Sequence, residues 1–390
     1  MNPGRRLLAV LLLHSTLTQV ITFVVRPTSA YRALELDVPT AWLGALTASF
    51  AVVPLLLAVP SGQATDRFGE RRVMLVGAVL MTLSAGIFAT ERGGAAGLVL
   101  GSVVLGTGHL LSVVGQQAAV ANTAGPGRFD SAFGYYTFAA SLGQAAGPAL
   151  ITVLGGRGAL PDTQPIFLTA TLLGVLLVAC TVVLRMPSVD RAAAGAASGG
   201  MGTLLRVPGL LRALLVSCVV LAAVDITLVY LPALGTDRGL AAGTVGLLLT
   251  LRAVASMTSR FFLGRLVSFV GRRRLMIVSV ALAAVSMAVV ALPLPIAAMA
   301  IVVVLMGLGL GVGQPLTMSW LAEVAPAGQR GRAMSLRLTG NRLGQVLIPS
   351  AVGLVAAGVG AAGVLAATAA ALAAVGVASR RLAVDGGSSA

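Results

Sequence analysis

Long apolar runs recur from one end of this chain to the other, and they leave it few ways to fold. A helix needs about 20 apolar residues to cross a bilayer. The runs here are continuous and do not alternate, so helices are expected and a barrel is not. Twelve segments can be marked off: 6–31, 40–62, 73–90, 96–121, 131–155, 164–186, 208–234, 240–264, 274–292, 294–321, 331–358 and 360–379. Only 10% of residues are charged, against about 25% in a soluble domain.

The charges are ordered by topology. The 27 Lys-plus-Arg positions are all arginine, the acids number 12, and the net charge is +15. Such a surplus suits nucleic acid only if it forms a patch, and here it falls in alternate loops. Arg5, Arg6, Arg67, Arg71, Arg72, Arg128, Arg185, Arg191, Arg206, Arg265, Arg272, Arg273, Arg274, Arg330, Arg332, Arg380 and Arg381 share one side. The opposite loops hold little beyond Arg32, Arg92, Arg157 and Arg238. This positive-inside bias places both termini in the cytoplasm of a multi-pass protein of the inner, or plasma, membrane. The expected partner is the bilayer and not nucleic acid. Arg5-Arg6 before a long apolar run reads as a first membrane helix, not a cleaved leader. Cys180 and Cys218 lie inside apolar runs and read as small core residues; neither a metal nor a cofactor is implied.

The chain also repeats itself. At a shift of 202 residues, Gly44 falls on Gly246, Gly62 on Gly264, Gly69 on Gly271 and Arg71-Arg72 on Arg273-Arg274. At 201, Gly106 falls on Gly307, and Leu142-Gly143-Gln144 with Pro148 fall on Leu343-Gly344-Gln345 with Pro349. Between the copies, 187–206 is rich in Ala, Gly and Ser. The expected fold is therefore all-α, with twelve transmembrane helices in two pseudo-symmetric six-helix bundles around a central cavity. The expected division is an N-terminal bundle over 1–188, a cytoplasmic linker over 189–206 and a C-terminal bundle over 207–390.

The sharpest local pattern follows the second segment: Gly62, Asp66, Arg67, Gly69, Arg71 and Arg72 stand as Gly-x-x-x-Asp-Arg-x-Gly-x-Arg-Arg. Gly62 lets a neighbouring helix approach closely, and Gly69 permits a very short reversal. Asp66 can accept from a facing helix N-terminus or pair with an arginine, with Arg337 one option. Arg71 and Arg72 suit an anionic membrane surface. Such a contact would act as a latch, made in one conformation and broken in another. The second copy keeps Gly264, Gly271 and the arginines but has Ser268 in place of the aspartate, so any latch there should be weaker or absent. With this motif, the segment count and the repeat, the chain resembles the major facilitator superfamily. The resemblance implies a secondary transporter working by alternating access, a monomer and not an enzyme, with a small-molecule substrate and protons as partners.

Within the fifth segment Gly134, Gly143, Gly147 and Pro148 resemble the antiporter motif of the twelve-helix drug:proton branch, though Ile151 and Thr152 replace its final glycines. These residues would form a helix-5 gate; ordinary small-residue packing explains the same glycines. An arginine common in the fourth segment of proton-coupled members is absent, Ser102 standing four residues before Gly106. His109 and Asp225 are the candidate proton-coupling groups. Asp225 is the carboxylate well inside a span, and the repeat sets it opposite Phe23, near Arg26.

Arg252 and Arg342 fall about 17–18 Å from the nearer segment ends, at membrane depth. Ionisable groups there are costly and point to function, and arginine recognises carboxylate or phosphate through two parallel bonds. Asn341, Gln345, Gln314 and Trp320 would complete a substrate site, while interhelical ion pairs or carbonyl contacts are the structural alternative. Two functions remain open: proton-linked efflux of small amphipathic compounds, and transport or uptake of a small organic anion. An enzyme or a sensor fits less well, since the sequence offers neither nucleophile–base spacing nor a metal-ligand cluster.

Overall fold

The computed structural model describes residues 3–36, 43–90, 94–124, 127–154, 161–184, 186, 209–240, 242–325, 329–355 and 360–379. The expected linker, 189–206, lies outside them. The described residues form α1 (Pro3–Glu35), α2 (Leu43–Phe68), α3 (Glu70–Ala89), α4 (Gly94–Thr123), α5 (Phe129–Leu154) and α6 (Thr163–Val183). They continue as α7 (Leu210–Asp237), α8 (Ala242–Phe261), α9 (Leu263–Val270), α10 (Arg272–Val290), α11 (Ile296–Val324), α12 (Arg330–Val355) and α13 (Gly360–Ser379). All twelve expected segments are helical. Among the described residues, eight helices are long and apolar enough to span a membrane, or nine if α8 and α9 count as one broken span.

That break corrects the reading of the eighth segment as one helix over 240–264. The chain bends by 64° between Phe261 and Leu263, with Phe262 in a non-helical conformation (φ −90, ψ 8). In the first half the equivalent stretch runs unbroken to Phe68.

Contacts gather the chain into two compact units. The first comprises Met1–Ala124, Ala139–Ser198 and Pro326–Leu336. The second comprises Gly125–Phe138, Gly199–Ala325 and Arg337–Ala390. The head of α5 thus counts with the second unit and the head of α12 with the first.

Within the first unit α3 packs on α4 and α6, α4 also on α1 and α2, and α1 on α6. Within the second, α10 packs on α11 and α13, α11 also on α7 and α8, and α7 on α13. The two lists are one list under the repeat. Lipid tails are as apolar as leucine, so these helices associate through close packing rather than hydrophobic burial. The repeat's glycines supply the close approach. A side chain at Gly106 would strike the Phe50 carbonyl, and one at Gly307 the Arg252 carbonyl, residues that correspond under the 202 shift. Gly108 lies against the Gly77 carbonyl and Gly309 against the Ser279 carbonyl in the same way. Buried hydroxyls mostly bond to carbonyls a turn earlier on their own helix, as Thr18, Thr22, Thr181, Thr227 and Thr368 do, so these donors are not stranded in hydrocarbon.

Candidate functional site

The motif after α2 is built around one carboxylate. Gly62 is buried against the Gly331 carbonyl and the Ser335 side chain, which brings the end of α2 close to the head of α12 inside the first unit. Asp66 Oδ1 then accepts from Gly331 N at 2.8 Å and Oδ2 from Arg332 N at 3.1 Å. Arg332 Nε stands 3.6 Å from Oδ2. These are orphan N–H groups of a helix start, where a negative charge is favoured. Burial nevertheless pushes the Asp66 carboxyl up to about 6, against the downward pull of both N–H donors and Arg332. Of the two partners expected for Asp66, the helix start is the one found. Arg337 is instead enclosed within the second unit.

The neighbouring motif residues divide their work. Gly69 has φ 94, a left-handed conformation that lets α3 begin one residue after α2 ends. Arg71 is exposed and donates to the Val182 carbonyl at 2.6 Å and the Thr181 carbonyl at 3.4 Å, capping the end of α6. Cations are favoured at such carbonyl ends. Arg72 is exposed, and Arg67 is exposed beside the Phe68 ring, 5.2 Å from its centroid. Glu70 accepts from Asn122 Nδ2, and Arg330 donates to the Ala121 carbonyl at 2.7 Å and to Asn122 Oδ1 at 3.1 Å.

At the second copy the sequence leads one to expect a latch that is weaker or absent, and the polar contacts there run through an arginine instead. Ser268 is exposed and bonds only to the Arg265 carbonyl among the bonds described. Gly264 packs against Ser131 and Gly271 adopts φ 81. Arg272, one residue past that glycine, pairs with Asp130 at 2.9 Å and also with Glu323. The sequence signal for this cluster is Asp130, the acid at the head of the fifth segment.

The deep polar residues of the second unit form a network. Arg337, on α12, is 1% exposed and donates to Gln314 Oε1 at 2.8 Å and Ser217 Oγ at 3.3 Å. Gln314 donates to the Ser217 carbonyl at 2.9 Å, and the Ser217 hydroxyl donates to Asn341 Oδ1 at 2.8 Å. Gln314 and Asn341, both candidate substrate residues in the sequence, meet across α11 and α12, where Asn341 Nδ2 donates to Gln314 Oε1 at 3.5 Å. Arg337, at the heart of it, was missed as a deep group, although its spacing of four from Asn341 puts both on one helix face. Arg252, on α8, is buried and interacts electrostatically with the half-buried Asp225 of α7. Arg260, two turns on, is its like-charged neighbour and donates to the Gly311 carbonyl at 3.3 Å. Trp320 is buried and Arg342 half-buried, while the Gln345 side chain lies outside the described residues.

In the first unit the equivalents are softer. The Arg26 guanidinium lies over the Phe50 ring, 4.3 Å from its centroid. His109 is half-buried, 5.8 Å from the same ring, with Gln19 Nε2 at 3.5 Å. His14 is fully buried. Thr181 gives its own proton to the Leu177 carbonyl, so it accepts from His14 Nε2, and Nδ1 accepts from Gln116. The helix-5 glycines all sit at close contacts. Gly143 meets the Thr16 carbonyl and Gly147 the backbone of Phe23, both on α1, and Gly134 meets the Arg260 carbonyl in the second unit. Pro148 is exposed. Among the described residues no group of His, Cys, Asp and Glu could hold a metal ion.

The family model described as Major Facilitator Superfamily matches residues 7–241 and 213–385. No curated protein matches the chain. Among solved structures, a variant of the E. coli fucose:proton symporter FucP superposes with a TM-score of 0.81 at 15% identity, covering 96% of this chain and 97% of that one. The human organic anion transporter MFSD10 gives 0.73 at 18% identity, covering 97% and 99%. A bacterial homologue of the iron transporter ferroportin, in an outward-facing state, gives 0.77 at 15% identity, covering 97% and 98%. At such identities the likeness is one of fold.

Proposed function

The chain belongs to the major facilitator superfamily, a family of secondary transporters, and from that premise we propose that its substrate carries an anionic group held by arginines of the second unit. The observation that carries this reading is a charge count at depth. Arg252 and Arg337 are buried, with Arg260 and Arg342 on the same helices, while Asp225, on α7, is the one carboxylate well inside a span of that unit. Excess positive charge in low dielectric favours an anion. A planar guanidinium is suited to carboxylate or phosphate. The organic-anion specificity stated for MFSD10 agrees with the reading. Substrate and Asp225 would compete for Arg252, so an arriving anion frees Asp225 to take a proton, and the two moves are linked. Asp66 on the head of α12 is the latch that must open and close during alternating access.

A second reading, proton-linked efflux of small amphipathic compounds, rests on Gly134, Gly143 and Gly147. Their close contacts with neighbouring backbone are also what packing alone requires, so the anion reading is preferred. Both are tested by transport in right-side-out and everted vesicles with a panel of small carboxylates and amphipathic cations. Saturable carboxylate transport is expected, with the half-saturation concentration raised about tenfold in Arg252→Lys or Arg342→Lys, since the fork is lost while the charge stays. Undiminished carboxylate transport in both variants, or transport of cations alone, would defeat the anion reading.

A further inference from the structure

The elbow at Phe262 opens a space beside α8 and α9. As α9 leaves α8 at 64°, a crevice of about 340 Å³ opens between α8, α9, α10 and α11. Phe262, Leu266, Leu275, Leu282 and Leu308 supply much of its wall. Three hydroxyls also line it, and each is turned back on its own helix. Thr258 donates to the Val254 carbonyl at 2.9 Å, Ser259 to Ser256 at 3.0 Å and Ser279 to Met276 at 3.0 Å. The three hydroxyl protons are thus used, and the wall exposed to an occupant is apolar. A water needs two to four polar partners, and a sugar or an organic anion needs more, so the space suits a hydrocarbon chain.

One end of the crevice is basic. Leu266 follows the exposed Arg265 and Leu275 follows the exposed Arg274. Arg265 stands at the mouth, over the ring of the lining residue Phe262 at 5.6 Å from its centroid. The nearby acids Asp130 and Glu323 are engaged by Arg272. From Leu275 to Leu282 α10 rises about 10 Å, so the apolar space runs from the arginines toward the interior of the bilayer. This is the order of groups in a phospholipid, with an anionic phosphate first and an acyl chain beneath.

We propose that the crevice binds one anionic phospholipid, its phosphate on Arg265 and Arg274 and one acyl chain lying against α10 as far as Leu282. A chain already in lipid gains little hydrophobic free energy by entering. Selectivity must then come from the headgroup, on the order of fivefold for each arginine, and retention from the enclosed chain. The site is separate from the deep arginines and does not depend on which substrate they hold.

The test uses the full-length protein purified in a mild detergent and offered dioleoyl phosphatidylglycerol or dioleoyl phosphatidylcholine, with bound lipid counted by native mass spectrometry. Wild type should retain one phosphatidylglycerol in preference to phosphatidylcholine. Arg265→Gln combined with Arg274→Gln should lower that retention on the order of tenfold or more and leave phosphatidylcholine unchanged. Leu282→Trp should lower it by filling the space. Val278→Trp, on the exposed side of the same wall, serves where Leu282→Trp does not fold. Equal retention of the two lipids would overturn the proposal, as would full retention by the double arginine variant. So would unchanged retention in the filled variants, which would mean surface adsorption of a headgroup. Displacement by inorganic phosphate would identify a free-anion site and equally reject the lipid.

Discussion

The heads of α3 and α10 are equivalent under the repeat, yet they carry opposite charges. Glu70 begins one and Arg272 the other. Around each, the partners are inverted to match. Glu70 takes a bond from Asn122 at the end of α4, which also meets Arg330 at the head of α12. Arg272 meets Glu323 at the end of α11 and Asp130 at the head of α5. The same three helix ends are tied together twice, once through an acid with a neutral bridge and once through a base between two acids. Deeper in the bilayer the contrast recurs: Arg26 of α1 rests on Phe50 of α2, while Asp225 of α7 acts on Arg252 of α8. A duplicated fold thus keeps its contacts and changes their chemistry. Topology requires the contacts, whereas the sign of each charge is free as long as its partner changes with it.

The strongest way to break this comparison is at Arg272. Arg272→Glu alone would gather three carboxylates around a mostly buried point. Removing one partner of such a cluster costs about 3–5 kcal/mol, so a large drop in thermal stability is expected, read by unfolding of the purified protein in detergent. The triple variant Arg272→Glu, Glu323→Asn, Asp130→Arg copies the first unit's polarity and should recover most of the loss. A triple variant no more stable than the single one would show that the two clusters are not interchangeable.

A middle-sized effect is expected at Asp66. Asp66→Asn keeps the shape but removes the buried charge that sets the balance between latched and open forms, a shift on the order of 1 kcal/mol. Transport should slow between fivefold and tenfold, by the usual conversion of about 1.4 kcal/mol per decade, with folding intact. Wild-type turnover would remove the latch. The pH dependence has a definite sign. With its carboxyl raised to about 6 when latched and ordinary, near 4, when exposed, Asp66 binds its proton more tightly in the latched form. The latched form is therefore disfavoured by its buried charge above pH 6 and gains as pH falls through 6 toward 4. Spin labels on the ends of α2 and α12 should report more of the short distance at pH 5 than at pH 7.5, and Asp66→Asn should abolish the difference. A pH-independent distance in the wild type would contradict the assignment.

The smallest effect sharpens the contrast between adjacent arginines. Arg71→Gln removes the bonds that cap α6 and should cost about 1 kcal/mol, while Arg72→Gln, on an equally exposed side chain away from those carbonyls, should leave the unfolding temperature unchanged. Equal effects would return Arg71 to the surface role that its sequence context suggested.

Some of this was legible because the bilayer allows little choice. Apolar length and the absence of alternation settle the twelve helices, since every backbone group in hydrocarbon must be bonded within its own helix. The repeat of Gly62 on Gly264 and Gly106 on Gly307 announces that close contacts occur twice, because only glycine permits them. The partner of Asp66 was legible for the same reason, a lone carboxylate beside a helix start. What tertiary structure alone decided is which side chains meet. Arg337 at the heart of the Gln314–Asn341 network, Arg71 on the end of α6, and Asp130 with Glu323 on Arg272 join residues 23 to 142 positions apart. Periodicity within a helix carries no information about such pairings. The break at Phe262 belongs with them: 240–264 reads as a continuous apolar span, and the bend appears only where α8 and α9 must pack against α10 and α11, with no carboxylate at Ser268 to hold the end of the helix as Asp66 holds α2.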